Sequence, residues 1–322
     1  MIQSFLDTDI GNKEFDLLTD QEHMDKVWGI MEPLVLEYAD GYFEGVSHYQ
    51  EKDNIKDSYV AFLNELIKKN DTLNDKYREI FDLDIMDEEY SEDTEGFKSV
   101  VLKKECDVIR KTLQSSSEAL NEWKRNFFGT KSQLLFDTFY NMMSFADDYD
   151  KDMTEDIMES MDTIEECGLG EMEEDACYKT GVLGYGIVSN ILNHMYPRVF
   201  PGNYKAGIYS LYFLSGVEGR KGIDMPSGSS EFTMVKDETY SKTGIIEMEH
   251  NYFFPYETFA TYTMRIYRVL LEKIKTRFQM DFPSEYRFLL TNDFYEYVTS
   301  LHRSEITTMT GNDDMLKFST IW

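Results

Sequence analysis

The sequence predicts a mainly α protein: a multi-helix acidic N-terminal half, then a helical C-terminal half with a small β-hairpin. Three observations predict this. Apolar residues recur every three or four positions through most of the 322-residue chain, the period of a helix that buries one face. Only 6 prolines interrupt these runs. Only one stretch, 231–253, sets two β-leaning runs around a Lys-Thr-Gly turn, the pattern of a hairpin. Aromatic residues make up 15% of the chain, enough to pack a core, so the high charge does not signal disorder.

The elements follow in order. Thr19-Asp-Gln-Glu22 has the form of a capping box, and Met24, Val27, Met31, Val35, Tyr38 and Tyr42 then mark a helix with a bend at Pro33. Residues 55–69 and 72–81 read as two further helices. The acidic stretch 82–95 lacks periodicity and reads as a loop. A long helix is expected over 96–127 and another over 131–146. In the second half, helices are expected over 175–195 (stopped by Pro197), 204–215, 256–278 and 285–302.

Charge divides the chain unevenly. The total is 61 acidic and 32 basic residues, a net charge of −29. Residues 1–177 hold 45 of those acids and 17 bases, whereas 178–322 hold 16 acids and 15 bases. The shift, with the glycine-containing stretch EECGLGEMEED at 165–175, places a boundary between an acidic helical domain at 1–170 and a second domain at 171–322. Such a body repels nucleic acid at long range. No run approaches 18 uncharged apolar residues, so no membrane span is expected. Three scattered cysteines and no basic, apolar leader suit a reducing cytoplasm.

Several chemistries are weighed on their residues. Asp148, Asp150 and Asp152, with Asp156 and Glu159, occupy ligand positions of a calcium-binding EF-hand loop. Its turn glycine is replaced by Met153 and its apolar position by Glu155, so no specific calcium site is expected. Glu247, Glu249 and His250 are the candidate residues of a divergent metal-dependent nuclease. On a strand, Glu247 and Glu249 share one face and His250 points away, which favours a structural histidine. Gly181, Gly184 and Gly186 fall inside a helical pattern and read as a close-packing face. No phosphate-binding loop, nucleophile elbow or Cys-x-x-Cys is present, and no cofactor is expected. Arg265, Arg268 and Lys275 form a basic helical face, fit either to meet phosphates or to dock on the acidic first half; docking is favoured.

Residues 181–216, GVLGYGIVSNILNHMYPRVFPGNYKAGIYSLYFLSG, carry a resemblance. A helix ending in Met-Tyr-Pro, then Phe-Pro, an Asn, and a second helix closing in Leu-Ser-Gly is similar to a helical segment of McrB-type restriction proteins and related bacterial defence proteins. The matching positions are Ser189, Pro197, Phe200, Pro201 and Asn203, followed by an aromatic helix in 247–270. The GTPase motor of that family is absent. The resemblance implies a bacterial antiviral or restriction-associated context, with Asn203 among the binding residues.

Three readings of function follow, in order. The first is a non-catalytic interaction or sensing subunit of such a system, binding a basic or nucleic-acid-binding protein through an acidic helical surface. The second is the metal-dependent nuclease. The third is an acidic mimic of DNA. Weak or no direct nucleic-acid binding is expected.

Overall fold

The computed structural model describes residues 9–117, 120–173, 176–202, 204–220, 225–235 and 248–310. It is mainly helical with one two-stranded antiparallel sheet among the described residues. The helices that carry the argument are α1 (Asp9–Leu18), α2 (Gln21–Ser47), α3 (Ile55–Phe81), α4 (Asp107–Gln114), α5 (Asn121–Gly129), α6 (Ser132–Asp152), α7 (Tyr185–Met195), α8 (Tyr204–Leu214), α9 (Tyr256–Phe278), α10 (Arg287–Leu301) and α11 (Arg303–Thr310). Among the described residues, no helix is long and apolar enough to cross a membrane.

α2 begins one residue later than the sequence pattern suggests. Asp20, not Thr19, is the N-cap, its carboxylate accepting the His23 backbone N–H at 2.8 Å. The Thr19 hydroxyl turns back to the Phe15 carbonyl at 2.9 Å. The helix runs through Pro33, which lies on the exposed face while Met31 and Val35 stay buried. The two segments expected over 55–81 are one helix, α3, capped by Asn54 on Asp57 N–H at 2.9 Å. Its polar interruption continues the helix because Asn70 donates back to the Leu66 carbonyl at 2.7 Å.

The stretch 82–95 is not a loop. Short helical turns at Leu83–Ile85, Met86–Tyr90 and Thr94–Gly96 wrap around Met86, which is fully buried, while Asp82 and Asp93 cap backbone N–H groups. A single anchoring residue leaves no period in the sequence, which explains the misreading. The long helix expected over 96–127 is broken twice. A π-helical segment Phe97–Glu105 ends at the extended, buried Cys106, and α4 ends at Ser115. Phe97, Val101, Ile109 and Phe127 are all buried, although they stand on three separate helical segments. α6 extends beyond the expected 146 to Asp152.

In the second half α7 starts at Tyr185, ten residues later than 175. Gly181 stands before it at φ +75°, a left-handed conformation that glycine adopts without strain, and Gly184 is the N-cap. The glycines therefore form the entry to the helix and not a packing face. α9 has the expected ends. The hairpin exists as β1 (Thr233–Val235) and β2 (Met248–His250), paired Thr233 to His250, Met234 to Glu249 and Val235 to Met248. Its Lys-Thr-Gly turn lies outside the described residues.

Packing crosses the charge boundary. α2 of the acidic half packs on α9, and α3 packs on α7. Buried apolar residues of both halves join one cluster, from Leu18 and Met24 to Phe294 and Val298. α8 and α10 are packed together, and the Ser210 hydroxyl donates to the Tyr295 carbonyl at 3.0 Å. Gly207 lets the Phe259 ring approach α8: a Cβ there would lie 2.4 Å from that ring.

Candidate functional site

The basic face of α9 is turned onto the acidic half. Arg265 donates to Asp25 at 2.7 Å and to Asp162 at 3.0 Å, and its guanidinium lies 5.8 Å from the centre of the Trp28 ring. Arg268 donates to Asp162 at 3.0 Å and to the Met161 carbonyl. Further along the helix, Lys273 pairs with Asp40, and Arg277 with Glu44 and the Ser47 hydroxyl. Lys275 is exposed and has no ion pair among the described residues. Asn203, the remaining proposed binding residue, lies outside them. The docking that charge favours is therefore the arrangement found, and Arg265 and Arg268 do not form an open phosphate-binding face with Lys275.

These pairs border a cleft of about 460 Å³ between α2 and α9. Trp28, Gly29, Glu32 and Val269 line it together with Asp25, Asp162 and the two arginines. Three carboxylates against two guanidiniums leave one net negative charge. Glu32 is exposed and unpaired among the described residues, so that charge faces solvent.

The calcium-like acids do not gather at one place. Asp148, Asp150 and Asp152 lie in the last turns of α6, where helical geometry turns Asp150 away from the face that Asp148 and Asp152 share. Asp150 accepts from Arg198 at 2.8 Å. Glu155, at the position meant for an apolar residue, contacts Arg198 at 3.4 Å and Arg287 at 2.6 Å. Asp148 lies 3.9 Å from Lys151, and Asp152 and Glu159 are exposed. Among the described residues, no group of three or more His, Cys, Asp or Glu is placed to hold a metal ion.

At the nuclease-like positions, Glu247 lies outside the described residues. His250 does not point away from Glu249, contrary to simple strand alternation: its Nδ1 lies 2.9 Å from Glu249 Oε1. The Tyr209 hydroxyl donates to the same carboxylate oxygen at 3.3 Å and receives the His250 backbone N–H at 3.1 Å. The strand ends at His250, so its side chain is free of the alternation that binds residues inside a ladder. Burial, and then the charge of Glu249, push the Tyr209 phenol up from its usual range. Cys106 and Cys167 are poor nucleophiles, since burial pushes their thiols up to about 12.

In the segment that carries the resemblance, Pro197 to Gly202 form a tightly held corner. Asn193 donates to the Phe200 carbonyl at 2.8 Å, the Tyr256 hydroxyl to the Pro201 carbonyl at 2.7 Å, and the Phe288 N–H to the Pro197 carbonyl at 3.1 Å. Arg287, only 1% exposed, donates to the Arg198 carbonyl at 2.8 Å and lies 5.3 Å from the centre of the Tyr267 ring. Sequence reasoning missed Arg198 and Arg287. A lone arginine on an apolar helix was the available signal for Arg287.

The structure also exposes a charged surface that the sequence reading treated as a loop. Asp82, Asp84, Asp87, Glu88, Glu89, Glu92, Asp93 and Glu95 are all exposed, and none has an ion pair among the described residues. Met86 and the caps of Asp82 and Asp93 hold this lobe in a defined shape. Comparison of the chain with protein-family models, curated proteins and solved structures finds no match.

Proposed function

We propose that the protein is a non-catalytic interaction or sensing subunit of a bacterial antiviral defence or restriction-type system, and that it binds a basic protein partner through the acidic lobe at 82–95. The system is the one the resemblance at 181–216 implies. The observation that carries the binding is the contrast in how charge is used. Four cations of α9, Arg265, Arg268, Lys273 and Arg277, are paired inside the molecule, whereas the lobe holds its carboxylates exposed and without ion pairs among the described residues. A surface already ordered loses little conformational entropy when a partner docks, and its field speeds the approach of a basic one.

The test is capture by cross-linking in the native host, followed by binding isotherms with the purified partner. Wild type is compared with the five-site variant Asp84→Asn, Asp87→Asn, Glu88→Gln, Glu89→Gln, Glu92→Gln. At least tenfold weaker binding by the variant is expected, with a salt dependence reduced in proportion. Equal affinity of the two proteins rejects the lobe as the binding surface. Magnesium- or manganese-dependent DNA cleavage that disappears in Glu249→Gln replaces this reading with the nuclease one.

A further inference from the structure

Among the described residues, eight buried side-chain atoms have no hydrogen-bond partner, and three of them, Ser230 Oγ, Glu231 Oε2 and Thr233 Oγ1, fall within four consecutive residues. The three residues span the bend that leads into β1, closed by the Thr233 N–H on the Ser230 carbonyl at 3.3 Å. The turn is clamped from several sides. Asn251 donates its side-chain amide to the Glu231 carbonyl at 3.1 Å and its N–H to the Phe232 carbonyl at 2.8 Å. Phe232 packs edge-on against Tyr262 of α9, at 6.3 Å between ring centres. Just before the turn, the buried Glu14 accepts the Ser227 N–H at 3.1 Å.

Glu231 is 0% exposed. His23 of α2 reaches only one of its oxygens, Oε1, at 3.1 Å. Whatever the proton count on that imidazole, Oε2 faces no donor. A carboxylate oxygen can only accept, so its missing partner is a hydrogen-bond donor or a cation. A buried carboxylate without a partner is strongly disfavoured, and a clustered set of such atoms calls for a bound water or ion.

We propose that the turn 230–233 binds an alkali cation, with Glu231 Oε2 as the charged ligand and the hydroxyls of Ser230 and Thr233 as neutral ones. The donor set decides the class of ion. It offers hard oxygens, which exclude soft thiophilic metals, and one carboxylate with two neutral hydroxyls supplies too little negative charge for a divalent ion. The site couples the hairpin to α2 and α9, so an ion there stabilises the folded chain by mass action.

The experiment is thermal unfolding of the intact protein in sodium, potassium or choline chloride, mixed so that ionic strength stays constant. The constant ionic strength removes general screening of the −29 charge, which any salt would supply. The expected result is a Tm that rises by about 2 °C for each tenfold increase in one alkali cation. Thr233→Val and Ser230→Ala, which keep the shape of the turn, remove that rise; Glu231→Gln is the stronger variant but risks the fold. In crystals soaked with rubidium, an anomalous peak is expected on Glu231 Oε2. A Tm that is the same in alkali and choline salts overturns the proposal and leaves a water in the turn. So does a cation response that both hydroxyl variants retain.

Discussion

The arginines of α9 and the carboxylates of the 82–95 lobe are charged groups on helical segments, and the protein treats them in opposite ways. Arg265 is 9% exposed and reaches two aspartates and a tryptophan ring across the molecule. Glu88 and Glu89, by contrast, stand in water with no cation in reach among the described residues. The difference follows from supply. The chain holds 32 basic and 61 acidic residues, so even full pairing would leave carboxylates over. An acidic chain can therefore be strongly cross-linked by charge at one interface and wholly unpaired at another. The first use stabilises the fold; the second is open to a partner.

The comparison breaks first if the buried cations are not structural. Arg287→Met leaves Glu155 without its closest cation and removes the donor to the Arg198 carbonyl, so a loss of about 3 kcal/mol is expected in urea unfolding. A loss below about 1 kcal/mol, the size of one ordinary hydrogen bond, makes the corner at 197–202 a matter of packing alone.

A third treatment of charge sharpens the contrast. His194 is buried beside Tyr77 and donates Nδ1–H to Asn74 at 2.8 Å, and burial lowers it to about 4. Its folded value is depressed below the unfolded one, so the unfolded chain takes up the proton first as the pH falls. Its contribution is complete above about pH 6.5 and is lost between there and about pH 4, about 3 kcal/mol in all. Unfolding free energies of wild type and His194→Phe from pH 7.5 to 4 measure this; the variant should show a flatter profile by that amount.

Arg265→Gln is expected to cost about 2 kcal/mol, less than Arg287, because Asp25 and Asp162 are 53% and 58% exposed and water takes over their solvation. The cost should shrink in high salt. The smallest effect belongs to the lobe: the five-site variant should change stability by less than about 0.5 kcal/mol, since its side chains are exposed and form no ion pair among the described residues. A larger loss of stability places these acids in the structural class and removes the contrast.

How much was legible varies element by element. Tyr256–Phe278 was readable to its ends because Phe259, Ile266, Leu270, Ile274 and Phe278 repeat at helical spacing and Pro255 starts the helix. The break at Cys106 was not, because Val101, Val108 and Leu113 keep a helical period across it. At the candidate site, Arg265 and Arg268 were legible as a charged face. Their partner Asp162 is 103 and 106 residues away, and Asp25 is 240 from Arg265; no local pattern marks such pairs.

By itself the sequence determined the helical class, the hairpin, the acidic imbalance and the basic face of one helix, since each depends on composition or short-range periodicity. Tertiary structure alone decided that Asp150 and Glu155 would hold arginines, that Met86 would fold an acidic stretch into an ordered lobe, and that three oxygens near Glu231 would be buried without partners. The reason is physical. Periodicity records which face of a segment is apolar, but the burial of a polar atom, and the partner it finds there, depend on which segments distant in the chain are packed over it.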